Sequence, residues 1–212
     1  MPAAALVAFE PRKTPIQARS AVTVEAISEA TVQLLLRHGI ERLTTTRIAE
    51  RAGVSVGTLY QYYPNKQSLL FAVLEHHLNN VMDKVEAACE GARHKPLAEM
   101  IRDMVEAFVD AKMERADISV ALYRVSADAG GPALIKRISQ RSRNAVEAML
   151  QTATDAELLP DKVTIDMMLA AMAGVMRSLL EAGPSPVTVR KSREQLVLLC
   201  QSYMAAATAK RA

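Results

Sequence analysis

The chain has few aromatic residues and very little cysteine. Its 212 residues include no tryptophan, three phenylalanines and five tyrosines. The two cysteines, Cys89 and Cys200, lie far apart and form no CxxC motif. This usage excludes a disulfide-rich secreted scaffold, and we expect both cysteines to pack as small apolar side chains in a reducing cytoplasm.

Long apolar runs are also missing. The longest, "MMLAAMAGVM" from Met167 to Met176, has ten residues, whereas a membrane helix needs about 20. Near the start, a short apolar stretch has no basic residue before it and is followed at once by Arg12 and Lys13, which is unlike a secretory signal. We therefore expect a cytoplasmic protein with no membrane segment.

The usual catalytic and metal-binding motifs are absent too. The sequence has no HxxxH, HExxH or Cys/His cluster, and no GxSxG, P-loop or GxGxxG. His76 and His77 are adjacent, so on a helix they would point about 100° apart and could not share one metal ion. These absences predict a protein with no metal site, no cofactor and no enzymatic activity.

What the sequence does contain is helical periodicity in nearly every segment. The pattern and its breaks predict an all-α fold of nine helices, with three in the first 63 residues and six longer ones after them. We expect the first helix to end near residue 38. The others are expected at about 45–52, 55–62, 66–91, 96–114, 117–129, 132–153, 161–183 and 188–207.

Two short helices on either side of Gly53 have the form of a helix-turn-helix, and glycine suits the sharp turn between them. Periodicity places four residues on the inner faces: Ile48, Ala49, Leu59 and Tyr63. The outer face of the second helix carries Ser55, Val56, Thr58 and Tyr62, with Tyr60 at its edge. An outward tyrosine suits a phosphate contact, because its phenol can donate a hydrogen bond. A helix pair of this form can also be plain packing.

The charge distribution points weakly to the same region. Residues 1–66 carry eight Lys and Arg against five Asp and Glu, while residues 67–212 carry equal numbers. The net charge of +3 therefore lies wholly in the part with the motif. An excess of this kind is typical of a nucleic-acid surface, although chance alone can produce three charges.

The stretch "LTTTRIAERAGVSVGTLYQYYPNKQSLL" closely resembles the DNA-binding domain of the TetR/AcrR family of bacterial repressors. The preceding "AISEATVQLLLRHGIERL" is similar to the first helix of that family, and the resemblance covers about residues 19–75. It implies a nine-helix, TetR-like protein with a flexible N-terminal arm at 1–15. A helix-turn-helix DNA-binding domain would follow at 16–66, and a helical ligand-binding and dimerisation domain at 67–212.

The resemblance also implies roles for individual residues. Thr45 and Thr46 resemble positions that contact the DNA backbone and bases. The positions that resemble base-reading residues are Ser55, Val56 and Gly57, and those that resemble phosphate contacts are Thr58, Tyr60, Tyr62 and Lys66. Arg12 and Lys13 would either enter the minor groove as a basic arm or remain a solvated tail.

The later helices are rich in methionine, which at helical spacing is either core packing or an adaptable lining for a flexible apolar ligand. In the family that the motif resembles, these helices usually enclose a ligand pocket. The pocket positions that we predict are Met100, Met104, Phe108, Leu122, Tyr123, Met149, Met168 and Met172. Arg102, Asp103 or Arg124 would then hold a polar end of the ligand, or simply be solvated.

A helix-turn-helix monomer covers one half-site, so we expect a two-fold homodimer on an inverted repeat. The eighth and ninth predicted helices are apolar over more than one face and offer small residues at which helices could approach closely. The predicted dimer surface consists of Leu169, Ala170, Ala173, Gly174, Met176, Leu180, Leu196, Leu199 and Tyr203. The alternative is that these faces only bury the protomer's own core.

Together these observations predict a cytoplasmic, homodimeric transcriptional repressor. It would bind double-stranded operator DNA and be released by a small apolar or amphipathic ligand. The alternative is a ligand-independent DNA-organising or cell-cycle protein on the same fold.

Overall fold

The computed structural model describes residues 18–125, 131–156 and 159–208. Within these ranges the chain forms nine α-helices and one short 3₁₀-helix, with no β-strand. The helices are α1 (Ala18–His38), α2 (Thr45–Ala52), α3 (Val56–Tyr62), α4 (Lys66–Gly91), α5 (Leu97–Glu114), α6 (Ala116–Val125), α7 (Gly131–Leu150), α8 (Lys162–Glu181) and α9 (Pro186–Thr208), and the 3₁₀-helix is Ile40–Arg42. The predicted all-α fold with nine helices is confirmed.

Polar side chains cap two of the long helices. The Oδ1 atom of Asn65 accepts a hydrogen bond from the Ser68 amide at 2.8 Å, before α4. The carboxylate of Asp161 accepts one from the Thr164 amide at 2.7 Å, before α8. Each bond satisfies an amide that has no partner within its helix.

Two helix boundaries differ from the prediction. Helix α6 begins at Ala116, one residue before the predicted start at residue 117, and Asp117 lies in its first turn. Helix α7 ends at Leu150, where the Thr152 hydroxyl bonds the Met149 carbonyl at 2.7 Å and replaces the next helical bond. The predicted arm at 1–15, including Arg12 and Lys13, and the helical residues predicted at 126–129 lie outside the described residues.

The chain divides into two compact units. The first contains the described residues up to His77 and those from Asp117 to Ile135. The second contains Leu78–Ala116 and the described residues from Lys136 onward. All three boundaries fall inside helices, since α4, α6 and α7 each contribute residues to both units. The domain boundary predicted at residue 66 stays a prediction.

In the first unit, α1 packs on α2 and α2 packs on α3. The core of this unit includes Ile27, Ile48 and Leu59, none of which has any exposed surface. A buried polar pair also lies here, because His77 Nε2 and Ser119 Oγ are 2.9 Å apart. The motif helices are thus held by an apolar core that α1 completes.

In the second unit, α9 packs along α5, and α8 packs on both. Met100, Met104, Met176 and Met204 are at most 1% exposed. Their flexible thioethers fill the space between these helices. Both cysteines are free and buried, as predicted. Burial raises the pKa of the Cys89 thiol to about 12 and that of Cys200 to about 11, so both stay protonated at neutral pH.

Arg141 on α7 forms a polar cluster in the second unit. Its guanidinium donates to both carboxylate oxygens of Glu86 at 2.6 Å, to Asp83 at 2.6 Å and to Asn79 at 3.1 Å. The three acceptors lie on one face of α4, three and four residues apart. The guanidinium therefore fixes α7 against the C-terminal half of α4.

One helix in the described ranges, α8, is long and apolar enough to cross a membrane by length and composition. About 33% of its apolar window is buried inside the protein. Ile165, Met168, Met172, Met176 and Leu180 form the buried stripe, which is the pattern of a helix that packs on a protein core.

Candidate nucleic-acid interface

The first helix of the motif, α2, begins at a threonine cap. The hydroxyl of Thr44 accepts a hydrogen bond from the Arg47 amide at 3.3 Å, in extended backbone conformation. Ile48 and Ala49 are buried against the unit's core, as predicted. Thr45 and Thr46 occupy the first turn on the other side, where Thr46 is exposed and Thr45 is half-buried.

Gly53 makes the turn that ends α2. Its φ of 68° and ψ of 28° lie in the left-handed region, and its amide bonds the carbonyls of Ala49 and Glu50. The Val54 amide also bonds the Ala49 carbonyl, at 3.0 Å. A side chain at position 53 would be strained in this conformation, whereas glycine is not.

The second helix of the motif, α3, begins after Ser55. The Ser55 hydroxyl accepts the Thr58 amide at 2.9 Å and lies 2.8 Å from the Thr58 hydroxyl. Ser55 and Thr58 were predicted as DNA contacts, and the structure gives them in addition a local capping role. Ser55 remains exposed and Thr58 half-buried, so both side chains stay accessible at the surface although their hydroxyl groups contact each other.

Two residues fix the inner face of α3. Leu59 is fully buried and Tyr63 is 4% exposed, which confirms the inward direction that periodicity predicts. Burial, and next the neighbouring Tyr62, raise the pKa of the Tyr63 phenol. Tyr63 is thus the structural member of the three clustered tyrosines.

Tyr60 lies on the opposite side and is 42% exposed. Its hydroxyl shares a hydrogen bond with the Thr45 hydroxyl, at 3.1 Å, so the two motif helices are joined on their outer side. Tyr62 and Val56 are half-buried and Gly57 is exposed. The result is a small surface of hydroxyl groups and methyl groups held on two rigid helices.

Lys66 is the first residue of α4 and is half-buried. Its ammonium lies 3.5 Å from the carbonyl oxygen of Ile40 in the 3₁₀-helix. The sequence did not point to two further basic residues beside it. Arg47 donates from Nη1 to the carbonyl of Arg42 at 3.1 Å, and both arginines are exposed. Their proximity depends on the path of the chain between α1 and α2, which periodicity does not predict.

Comparison with known protein families shows which family this chain belongs to. Residues 27–73 match the family model described as bacterial regulatory proteins of the tetR family. Residues 96–204 match the model of the tetracyclin repressor-like C-terminal domain. The chain belongs to the TetR family.

Two relatives match a short stretch of this chain. It is 38% identical over 50 residues to the nucleoid occlusion factor SlmA of Haemophilus influenzae, which is 24% of this chain and 23% of SlmA. It is 37% identical over 62 residues to the transcriptional repressor KstR of Mycolicibacterium smegmatis, which is 29% of this chain and 30% of KstR. The matched stretch therefore spans less than a third of either relative.

A solved structure extends the likeness over the whole fold. The structure of a TetR transcription regulator from Haloarcula marismortui aligns with a TM-score of 0.69 at 20% sequence identity. The alignment covers 89% of this chain and 100% of that one. At this level of sequence identity, the likeness shows that the two proteins share a fold and shows nothing more about this chain.

Most of the predicted pocket residues of this TetR-family chain are buried. Met100, Met104, Leu122, Met149, Met168 and Met172 are at most 2% exposed, and Phe108 and Tyr123 are half-buried. Two surface cavities in the second unit, of about 360 and 480 Å³, are lined by other residues, including Arg141 and Arg193 respectively. The predicted pocket stays a prediction. Of the polar residues considered for it, Arg102 is exposed, Asp103 pairs with Lys95 at 2.8 Å, and the Arg124 side chain lies outside the described part.

The predicted dimer residues divide into two groups. Met176, Leu180 and Leu196 are at most 4% exposed in the protomer, so they serve its own core and cannot lie on its surface. This corrects their assignment, which followed from helices that are apolar on more than one face. The residues left at the surface or half-buried are Leu169, Ala170, Ala173, Gly174, Leu199 and Tyr203.

Proposed function

We propose that this protein is a cytoplasmic transcriptional repressor that binds double-stranded operator DNA as a homodimer. A small apolar or amphipathic ligand would release it. The observation that carries the DNA-binding part is the geometry of α3. Leu59 and Tyr63 fix the helix to the core, while Tyr60 stays exposed and shares a hydrogen bond with Thr45 of α2. A rigid helix with outward hydroxyl groups suits insertion into the major groove between two phosphate chains.

Base readout by this surface would use mainly apolar contact. Val56 and Gly57 open α3 and offer a methyl surface and bare backbone. A Cβ atom added at Gly57 would meet only the Ser55 hydroxyl oxygen, at 3.7 Å, so a base edge can approach closely. Methyl contact recognises thymine in the major groove. We therefore expect an operator in which thymine lies opposite the start of α3.

Selection of bound duplexes from a random pool, followed by sequencing, tests this function. We expect an inverted repeat whose half-sites lie about one helical turn, or 34–36 Å, apart. Tyr60→Phe and Lys66→Ala should weaken binding to all sequences alike, and Lys66→Ala should reduce the salt slope by about one charge. Lys162→Ala is the matched control, because Lys162 is also the first residue of its helix. A pool with no enriched sequence would contradict operator recognition.

The homodimer would form through the exposed sides of α8 and α9. Val163, Met167 and Leu198 are 55–68% exposed there, beside the small residues of α8. Large exposed apolar side chains on two adjacent helices are typical of a surface that a second copy covers. Gly174→Leu tests this interface, because no other atom lies within 4 Å of a Cβ built at Gly174. The protomer should therefore fold, and sedimentation should show monomer. A folded, fully dimeric variant would place the interface elsewhere.

Release by ligand would be a shift between two conformations of α4. This helix begins at Lys66 beside the motif and continues to Gly91, so its tilt would change the separation of the two α3 helices in the dimer. A ligand can cause such a shift only if it binds one conformation more tightly than the other. The pocket for it would lie among the methionines of α5, α7 and α8.

A ligand-independent DNA-organising protein is the second candidate. The near-complete burial of Met100, Met104 and Met149 fits this candidate as well as the first, because a filled core and a closed pocket bury these side chains alike. Met104→Trp separates the two functions in a thermal melt. In a filled core, overpacking should destabilise the protein by about 1–3 kcal/mol. In a pocket, the indole should be accommodated without that loss and should weaken the response to inducer while operator affinity stays within a few-fold.

A further inference from the structure

The 3₁₀-helix between α1 and α2 is surrounded by cations from three separate elements. Arg47 of α2 donates to the carbonyl of Arg42 at 3.1 Å, and Lys66 of α4 lies 3.5 Å from the carbonyl of Ile40. These carbonyls are two residues apart on one 3₁₀-helix. The two side chains are therefore held near each other by the backbone of a segment that itself carries Arg42.

Four basic residues, Arg37, Arg42, Arg47 and Lys66, form this cluster, and within the described ranges ion pairs do not neutralise their positive charge. Arg37, Arg42 and Arg47 are exposed, and none of them, nor Lys66, lies within ion-pair distance of a carboxylate in the described part of the chain. Glu41 is the acidic residue of the 3₁₀-helix itself and is exposed. Arg37, Arg47 and Lys66 thus lie around a segment that itself bears one cation, Arg42, and one carboxylate, Glu41.

The state of His38 supports this arrangement. Burial, and next the positive charges of Arg47, Arg37 and Arg42, lower the pKa of its imidazole. A cation beside an ionisable base disfavours the protonated form. The lowered pKa of His38 therefore reflects burial first, and then three guanidinium groups close enough to act on one side chain at the end of α1.

Such a cluster is unfavourable in the free protein and suits a polyanion. Like charges repel when they are held together, and a phosphate group relieves that repulsion while condensed counterions are released from DNA. The cluster is also continuous with the proposed DNA surface, because Arg47 follows Thr45 and Thr46 on α2 and Lys66 belongs to both.

We propose that Arg37, Arg42 and Arg47 form a second phosphate-binding surface beside the helix-turn-helix, which contacts the DNA backbone flanking the bases opposite α3. The inference rests on the proposed DNA-binding function and adds a partner surface to it. The three arginines neutralise backbone phosphates without reading sequence. The predicted contacts through Lys66 and Tyr60 would then form one end of a longer track along the phosphate chain.

Salt dependence of binding to a non-specific 30-bp duplex tests the proposal without knowledge of the operator. Fluorescence anisotropy between 50 and 200 mM salt gives the slope of log K against log salt. Arg42→Gln with Arg47→Gln should lower the slope by about 1.8, since each lost phosphate contact removes about 0.9. Lys136→Gln with Lys191→Gln is the control for net charge, because both lysines are exposed in the second unit and the double variant also removes two charges. It should leave the slope unchanged.

Arg47 also bonds the 3₁₀-helix, so a purely structural role must be separated from phosphate binding. Glutamine keeps a donor for the Arg42 carbonyl, and a thermal melt of the double variant should match that of wild type. Arg42→Lys with Arg47→Lys keeps both charges and should restore most of the slope. If the lysine variant loses the slope as the glutamine variant does, the arginines act on the fold and the proposal is overturned.

Two further outcomes distinguish a failure of the proposed DNA-binding function from a failure of the second phosphate surface alone. A wild-type protein with no salt-dependent binding to the duplex would overturn the DNA-binding function itself. A wild-type protein that binds with a normal slope, together with an Arg42→Gln, Arg47→Gln variant that behaves like the Lys136→Gln, Lys191→Gln control, would leave that function intact and overturn the second phosphate surface alone.

Discussion

Lys112 gives the sharpest stability prediction, because its charge is buried. It lies on α5 and is 8% exposed, and burial lowers the pKa of its ammonium from 10.5 to about 8. Removal of a charge from water is unfavourable, so the folded protein disfavours the protonated lysine while the unfolded chain does not. Lys112→Met keeps the length of the side chain and removes the charge, and it should stabilise the protein at neutral pH.

The magnitude follows from the two pKa values. At pH 7 the lysine is protonated in both states, and the pKa difference corresponds to about 3 kcal/mol of lost stability, at about 1.4 kcal/mol per pKa unit. As the pH rises from about 8 towards 10.5, the native state is already neutral while the unfolded chain still holds its proton. The penalty therefore falls with rising pH, and at pH 10 it should be about 1 kcal/mol.

Urea unfolding at pH 7 and pH 10 measures this difference. The chain has no tryptophan, so the helical circular dichroism signal is the appropriate probe. Both proteins must be compared at one concentration, because the stability of the proposed dimer would depend on it. The thiols of Cys89 and Cys200, with pKa values raised to about 12 and about 11, make the protein less stable as the pH rises above 9. Wild type and variant share this effect, so the difference between them isolates Lys112.

The expected result is a variant that is more stable by about 3 kcal/mol at pH 7 and by about 1 kcal/mol at pH 10. Lys191→Met is the matched control, since Lys191 is exposed on α9 and its effect should not depend on pH in this range. A Lys112→Met protein whose stability gain is the same at both pH values, or one that is less stable than wild type at pH 7, would refute the argument from desolvation.

Three further changes test local features of the fold. Gly53→Ala should destabilise the protein by about 1–2 kcal/mol, because φ is 68° there even though no atom lies within 4 Å of an added Cβ; an unchanged urea midpoint would contradict this. Ser55→Ala should cost about 1 kcal/mol, since the Thr58 amide loses its acceptor at 2.9 Å, and Ser55→Thr should restore the stability in the same assay. Arg141→Gln should cost about 1–2 kcal/mol, because the bonds to Glu86 and Asp83 are lost at a partly exposed site, and hydrogen exchange should become faster in the C-terminal half of α4. Unchanged exchange there would show that Arg141 does not hold α7 to α4.

Local chemistry in the sequence determined the helix-turn-helix and the starts of two long helices. Gly53 is the residue that a left-handed turn favours, and Asn65 and Asp161 lie where helices need an acceptor for their first amides. Periodicity also placed Leu59 and Tyr63 inside. These features depend on residues within about four positions of one another, so they can be predicted without knowledge of the rest of the fold.

Only the tertiary structure decided which apolar faces belong to the protomer. Helices α8 and α9 are apolar on more than one side, so periodicity does not tell whether Met176 and Leu196 face the protomer's core or a second copy. The structure buries both and leaves Leu199 and Tyr203 exposed. The choice depends on how α5, α8 and α9 pack against one another, and α5 is far from the other two helices in the sequence.

Contacts between polar residues far apart in the sequence were likewise decided only by the tertiary structure. Arg47 and Lys66 are 19 positions apart and meet at one 3₁₀-helix, and Arg141 bonds residues of α4 that lie more than 50 positions before it. Lys112 is buried although its residue type favours solvent. A sequence determines which groups a chain carries and where its helices begin and end. The packing of distant helices sets which charges become neighbours and which lose their water, because both depend on chain paths that no local pattern encodes.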